Sequence, residues 1–181
     1  WAFASHENPD VVIAACGDYQ TQEALACIHM LRRVIPELRV RFVNVSELNV
    51  LGKEEFYGNS LDDMTFRNIF TDDRDVVFTF HGYPGAIKQL LFDRPNTHRF
   101  RIYGYVEQGT TTTPFDMFLR NNVSRYHLAI RAVRHASRYN PRVAAKAHTL
   151  IASFESQITE HKEYIVKNGR DPEDVSKWTW E

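Results

Sequence analysis

The chain has 181 residues, 43% of them hydrophobic and 25% charged, with a formal net charge of -1. That size and balance fit one compact α/β or α+β domain with a real core. A near-zero charge excludes a wholesale electrostatic partner such as DNA, and no apolar run approaches the ~18 residues a membrane-crossing helix needs.

Residues Trp1 to Asp10 include no initiator Met and lack the basic and apolar regions of a signal peptide, so the chain reads as a piece of a longer protein or a processed one. Trp1 to Ala4 is a candidate edge strand. Val11-Val12-Ile13-Ala14-Ala15 is a continuous apolar run closed by Gly17, the pattern of a strand covered on both faces of a parallel sheet. A helix follows from about Gln20 to Ile35, with Ala24, Ile28, Leu31 and Ile35 at helical spacing, and Pro36 closes it. Cys16 and Cys27 sit in apolar stretches and read as small buried hydrophobes rather than a disulfide framework, which points to the cytoplasm.

Val40 to Val45 is rich in β-branched residues and forms the next expected strand; Asn49 to Asn59 is polar and glycine-punctuated, hence a loop. Ser60 is expected to cap a short helix with Asp63 as its acidic partner. Val76 to Phe80 is a third strand, and a helix starts near Pro84. Arg99 to Tyr105 is a fourth strand, whose alternation of Phe100 and Ile102 with Arg99 and Arg101 suggests one wet face. Thr113, Pro114 and Asp116 form a second helix start. Further helices are expected over Ser124 to Ser137 and Arg142 to Lys167. In the second, Val143, Ala147, Leu150, Ile151, Phe154, Ile158 and Ile165 share a face and Gly169 stops the helix. A tail carries Trp178 and Trp180. With no internal repeat or linker, residues 1–181 read as a single domain. The alternation of strand and helix predicts an α/β fold with a mostly parallel sheet and helices on both faces.

Ligands of such sheets bind outside the carboxyl ends of the strands. Those ends are polar here: Gly17-Asp18 after the first strand, Asn44-Val45-Ser46 after the second, His81-Gly82 after the third, and Gln108-Gly109-Thr110-Thr111 after the fourth. The helix starts beyond them offer free amides suited to an anion. Gly17, Asp18, His81, Gly82, Gln108, Gly109, Thr110 and Thr111 therefore form the candidate ligand or interface rim. The same residues also suit tight turns and helix caps whatever the function. His81 has a side chain able to carry protons near neutrality, but strand-end histidines commonly serve as hydrogen-bonded structural residues.

Neither the G-x-G-x-x-G nor the G-x-x-x-x-G-K-[ST] nucleotide motif occurs, nor a G-x-S-x-G elbow, and the histidines and cysteines lack metal-ligand spacing. Met117 to Phe154 contains no Asp or Glu, and Arg131, Arg134 and Arg138 fall on one helical face. Such a stripe suits a solvated or docked face; the alternative is RNA binding, though the aromatic residues of a nucleic-acid groove are sparse.

The string Gly104-Tyr105-Val106-Glu107-Gln108-Gly109-Thr110-Thr111-Thr112-Thr113-Pro114-Phe115-Asp116-Met117 resembles a pattern in the last domain of the phosphoketolase family. Further matches in the same order are Pro9 to Val12 with Ala14 to Asp18, Arg41 to Val45, Phe80 to Tyr83, Arg125 to Leu128, and Trp178-Thr179-Trp180. Where the family commonly has Asp before the Arg-aromatic pair, this chain has Ser124, which can still cap a helix. The resemblance implies a three-layer α/β/α domain with a mixed five-stranded sheet, Trp1 to Ala4 being the candidate for its antiparallel edge. It implies a parent that uses thiamine diphosphate and Mg²⁺ to cleave xylulose 5-phosphate or fructose 6-phosphate with phosphate, giving acetyl phosphate and an aldose phosphate. The cofactors and catalytic histidines of such a parent belong to its amino-terminal and middle domains, across a homodimer interface. By that resemblance this chain carries no catalytic, cofactor-binding or metal-binding residue, and serves as an accessory domain. The alternative for the rim is a regulatory module that binds a phosphorylated metabolite.

Overall fold

The computed structural model describes residues 4–53, 57–106 and 111–180. In chain order these hold β1 (Val11–Cys16), α1 (Asp18–Val34), β2 (Val40–Asn44), α2 (Asp63–Phe70), β3 (Val76–Phe80), α3 (Pro84–Leu91), β4 (Phe100–Tyr103), α4 (Pro114–Arg120), α5 (Arg125–Ala136), α6 (Pro141–Asn168) and α7 (Glu173–Ser176), with single 3-10 turns at Leu48–Leu51 and Thr97–Arg99. The strands lie in the order β2-β1-β3-β4, and every pairing is parallel.

β1 is buried at all its positions, as its unbroken apolar run requires. Its register sets Ile13 beside both Phe42 and Val77, and Val12 beside Val76. Alternation then divides the core in two. Val11, Ile13, Ala15, Phe42 and Val77 pack under α1, α4, α5 and α6, whereas Val12, Ala14, Val76, Phe78 and Phe100 pack under α2, α3 and the turn at Leu48–Leu51. The result is a three-layer α/β/α domain. Among the described residues no helix is long and apolar enough to cross a membrane.

The strand count differs from the expected five. The described residues hold four strands and none runs antiparallel. Of the candidate edge strand, Trp1 to Phe3 lie outside the described residues. Ala4 is buried, and the segment after it runs along the open edge of β2, where the Ser5 hydroxyl and the His6 amide engage Phe42 and Val40 without forming a ladder. The cap of α2 also differs: Asp62, not Ser60, accepts the Thr65 amide at 2.8 Å, because it stands one residue before the helix. Ser60 instead donates to the Asn49 carbonyl. Arg99 precedes β4 and is buried, donating to the carbonyls of Phe70, Thr71 and Arg74, so the wet face of that strand is Arg101 alone.

Two buried carboxylates tie the layers together. Asp10, at the amino end of β1, receives the Arg39 guanidinium at 2.5 Å and the Asn140 amide at 2.9 Å. Burial pushes its pKa up, but the Arg39 and Asn140 hydrogen bonds outweigh that and leave it below the usual carboxylate value. Glu23 on α1 and Arg125 at the start of α5 are 2% and 4% exposed. The Glu23 carboxylate accepts the Arg125 amide at 2.7 Å and its Nη2 at 2.6 Å, so it caps α5 and neutralises the guanidinium at once. The guanidinium also lies over the rings of Phe115 and Trp178, 5.6 Å from each centroid.

Glu23→Leu and Arg125→Leu are each expected to lower the unfolding free energy by about 3–5 kcal/mol, because each strands a buried charge. The double variant strands none and should lose clearly less than the sum. Urea unfolding of the four proteins reads the cycle; additive losses would contradict the pairing.

Candidate functional site

The strand order places the topological switch point between β1 and β3, where a ligand crevice is expected. There the two loops press together. Gly17 follows β1 with a φ of 96°, and a Cβ on it would stand 2.6 Å from the Cβ of His81, which follows β3. The His81 amide donates to the Cys16 carbonyl at 3.0 Å, so pairing continues past the strand ends. Beyond β4, the Tyr105 amide donates to the Gly82 carbonyl at 2.9 Å, and a Cβ on Gly104 would collide with that same carbonyl oxygen. Only glycine allows backbone to approach backbone so closely at these two positions.

The His81 ring completes the closure. It stands edge-on to Tyr19, with centroids 5.3 Å apart, and tilts against Tyr105 at 4.9 Å. Both tyrosines lean on Phe118 of α4. Burial pushes the Tyr105 phenol up to about 12, so it holds its proton at neutral pH. Beneath them the Thr79 hydroxyl donates to the Gln20 side-chain oxygen. An aromatic cluster of the chain itself overlies the switch point, with the His81 and Tyr19 rings exposed and Tyr105 half-buried.

The helix starts near this rim are largely occupied as well. The Glu23 carboxylate takes the first amide of α5. Asp171, in the segment after α6, accepts the Phe115 amide of α4 at 3.1 Å, and Thr113 caps the same helix. Asp116 lies in the first turn of α4, held by Thr112 and Arg120, whose hydrogen bonds outweigh burial and keep its carboxyl below the usual range. Ser124 provides no side-chain cap to α5; its hydroxyl pairs with His127 Nδ1 at 2.8 Å. Sequence reasoning missed Glu23 and Asp171. The one available signal for Glu23 was its place beside Ala24 and Cys27 on the buried face of α1.

Of the expected rim, Gly17 and Asp18 line a cavity of about 660 Å³ with Thr21, Asn44, Ser46 and Trp180, while His81 and Gly82 belong to the closed cluster. Thr111 is exposed, and Gln108, Gly109 and Thr110 lie outside the described residues. Among the described rim residues, Gly17 adjoins both the cavity and His81. The arginines of the acid-free stretch separate. Arg138 reaches Asp75 at 3.1 Å, Arg134 reaches Glu155 at 3.4 Å, and Arg131 stacks on Tyr103 while donating to the Asn122 carbonyl at 2.5 Å. Each has a partner inside the chain, which leaves less of the stripe open to RNA than the sequence suggested.

Fold and site together define a doubly covered parallel α/β domain whose β1 and β3 loops meet at the switch point beneath an exposed aromatic cluster. The chain belongs to the family described as XFP C-terminal domain, whose family model matches residues 1–180. It is 42% identical over 181 residues to a protein named "Probable phosphoketolase" from Rhodopseudomonas palustris (strain BisB5), covering 100% of this chain and 23% of that protein. Proteins of the same name from Brucella abortus (strain 2308) and Chlorobaculum tepidum are 40% identical, covering 99% and 100% of this chain and 23% of each relative. The chain thus spans about a quarter of the length of the curated relatives it matches. Among solved structures, a chain described as "Split gene transketolase, inactive beta4 tetramer" aligns at a TM-score of 0.46 and 14% identity, over 72% of this chain and 41% of that one. The fold assignment rests on the strand order above.

Gly17→Ala is expected to lower stability by about 1–3 kcal/mol, because the added methyl meets both a positive φ and the His81 Cβ. His81→Gly in the same chain should restore part of the loss. Thermal melts of the single and double variants check this, and an unchanged melting temperature for Gly17→Ala would show that the crevice is not closed.

Proposed function

We propose that the chain is the accessory carboxy-terminal domain of a phosphoketolase, working by packing against the parent's amino-terminal and middle domains. The parent cleaves xylulose 5-phosphate or fructose 6-phosphate with inorganic phosphate to acetyl phosphate and an aldose phosphate, and acts as a cytoplasmic homodimer. Thiamine diphosphate with Mg²⁺ supplies the carbanion chemistry there. The observation that carries this reading is the pattern of identity: about 40% across the whole chain, yet over only 23% of each relative.

The residues present do not fit a thiamine diphosphate site, and that supports placing the cofactor in other domains. The switch-point crevice that would receive it is filled by His81 against Gly17. The first amides of α4 and α5, which would hold a diphosphate, already bind Asp171 and Glu23. Among the described residues no group of three His, Cys, Asp or Glu side chains is placed to hold a metal ion. No catalytic step is therefore assigned to this chain. Its role is mechanical: two apolar layers, one of them with its helices α1 and α5 joined by a buried ion pair, present a stiff body for the neighbouring domains to rest on.

Given thiamine diphosphate, Mg²⁺, phosphate and xylulose 5-phosphate, the 181-residue chain should form no acetyl phosphate above the blank, whereas the full-length parent should. A hydroxamate assay for acetyl phosphate makes the comparison. Turnover by the chain alone would overturn the accessory assignment.

A further inference from the structure

Arg131 shares with the buried Arg99 the lack of a carboxylate partner among the described residues, but Arg99 is held by three backbone carbonyls and Arg131 by one. Asp10 neutralises Arg39, Asp63 neutralises Arg94, Asp116 neutralises Arg120 and Glu23 neutralises Arg125, each with a nitrogen–oxygen contact of 2.5–2.7 Å. Arg131 on α5 is half-buried, and among the described residues no carboxylate lies within salt-bridge distance of it. Its guanidinium lies flat over the Tyr103 ring, 3.4 Å from the centroid, and gives Nη1 to the backbone carbonyl of Asn122 at 2.5 Å. Asn122 has a φ of 56°, a left-handed conformation that asparagine tolerates well. A guanidinium has five N–H donors, so most of this fork is left over.

The spare donors face a cavity. Asn122, His127, Ile130, Arg131, Arg134 and Glu155 are among the residues lining a pocket of about 390 Å³ between α5 and α6. Two guanidinium groups face one carboxylate there, and that carboxylate, Glu155, lies 3.4 Å from Arg134 with both side chains more than half exposed. The Ser124 hydroxyl pairs with His127 Nδ1; in the tautomer whose Nδ1 accepts that bond, Nε2 carries the proton, and it has no hydrogen-bond partner among the described residues. Burial, followed by the neighbouring Arg131 and Lys162, holds the His127 imidazole down to about 4, so it is neutral at pH 7 and adds no repulsion of its own. Ile130 gives the pocket an apolar wall, which strengthens any charge-assisted bond formed against it. A half-buried guanidinium with no carboxylate beside it, lining a pocket with a second guanidinium, favours an anion there.

We propose that this pocket is a binding site for an exchangeable oxyanion of the phosphate class, held by Arg131 and Arg134 with the Nε2 of His127 as a third contact. A phosphate group suits three lining side chains better than a carboxylate does, because it offers more acceptor oxygens and more negative charge. The pocket lies away from the switch-point cluster of Tyr19, His81 and Tyr105, so it does not depend on whether that crevice opens. Burial pulls the Arg131 guanidinium down to about 10, with Tyr103 opposing and Arg134 assisting. It is still charged at neutral pH, and a bound anion would raise that value again.

Inorganic phosphate titrated into the 181-residue chain at pH 7, followed by guanidinium and imidazole NMR signals, tests this. The expected result is one saturable site, with shifts confined to Arg131, Arg134, His127 and Asn122. Arg134→Gln, an exposed change that leaves the core intact, should weaken binding by about tenfold or more, and Arg131→Lys should weaken it through loss of the fork. Glu155→Gln should tighten it. Three outcomes overturn the proposal: shifts spread over the whole surface without saturation, equal affinity in Arg134→Gln, or acetate binding as tightly as phosphate. The same titration on the full-length parent distinguishes a free anion from a carboxylate supplied by another domain. Binding to the 181-residue chain that disappears in the parent also counts against the proposal.

Discussion

The close approach of the loops after β1 and β3 governs what this domain can do. Gly17 and His81 come so near that no side chain larger than hydrogen fits at Gly17. Parallel sheets with this strand order open a crevice at that point because the connections diverge to opposite faces. Here the divergence exists, but the gap is bridged by the His81 amide and filled by its ring between two tyrosines. An exposed aromatic cluster therefore overlies the place where ligands of such sheets usually sit.

The electrostatics follow the same logic. Glu23 and Asp171 reach across the fold to cap α5 and α4, removing the free amides that would attract a diphosphate. A buried ion pair adds little stability compared with apolar residues of the same shape, but it penalises every arrangement that separates its members. The Glu23–Arg125 pair therefore fixes the angle of α1 against α5 and brings the Trp178 ring over Arg125. Arg131, like Arg99, has no carboxylate partner among the described residues, but Arg131 also lines a pocket. The chain supplies carboxylates to several other partly or fully buried arginines, and the gap at Arg131 coincides with a pocket.

Much of the fold was legible in the sequence because strands covered on both faces must be largely apolar, as Val11 to Ala15 is throughout and Val76 to Phe80 is apart from Thr79. Helix starts at Pro84 and Thr113, and the stop at Gly169, follow from local backbone chemistry and were equally readable. The misses around α5 share one cause: they depend on partners distant in sequence. Glu23 and Arg125 are 102 residues apart, so neither announces the other. The Ser124 hydroxyl looked like a cap because nothing local revealed that the Glu23 carboxylate already held the amide. The α2 cap erred by proximity instead, since Ser60 and Asp62 both suit the role and only the true helix start decides between them. The rim was legible as a set of polar loops, but its division into a closed cluster and a separate cavity needed three dimensions.

The most direct test concerns His81 within the full-length parent. If the ring is packing material, His81→Ala should leave kcat/KM for xylulose 5-phosphate within about twofold of the unaltered enzyme while lowering its melting temperature, since no proton transfer is lost. A fall in kcat/KM of about a hundredfold or more with unchanged melting would make His81 a participant in the chemistry, and the closed-rim account would be wrong.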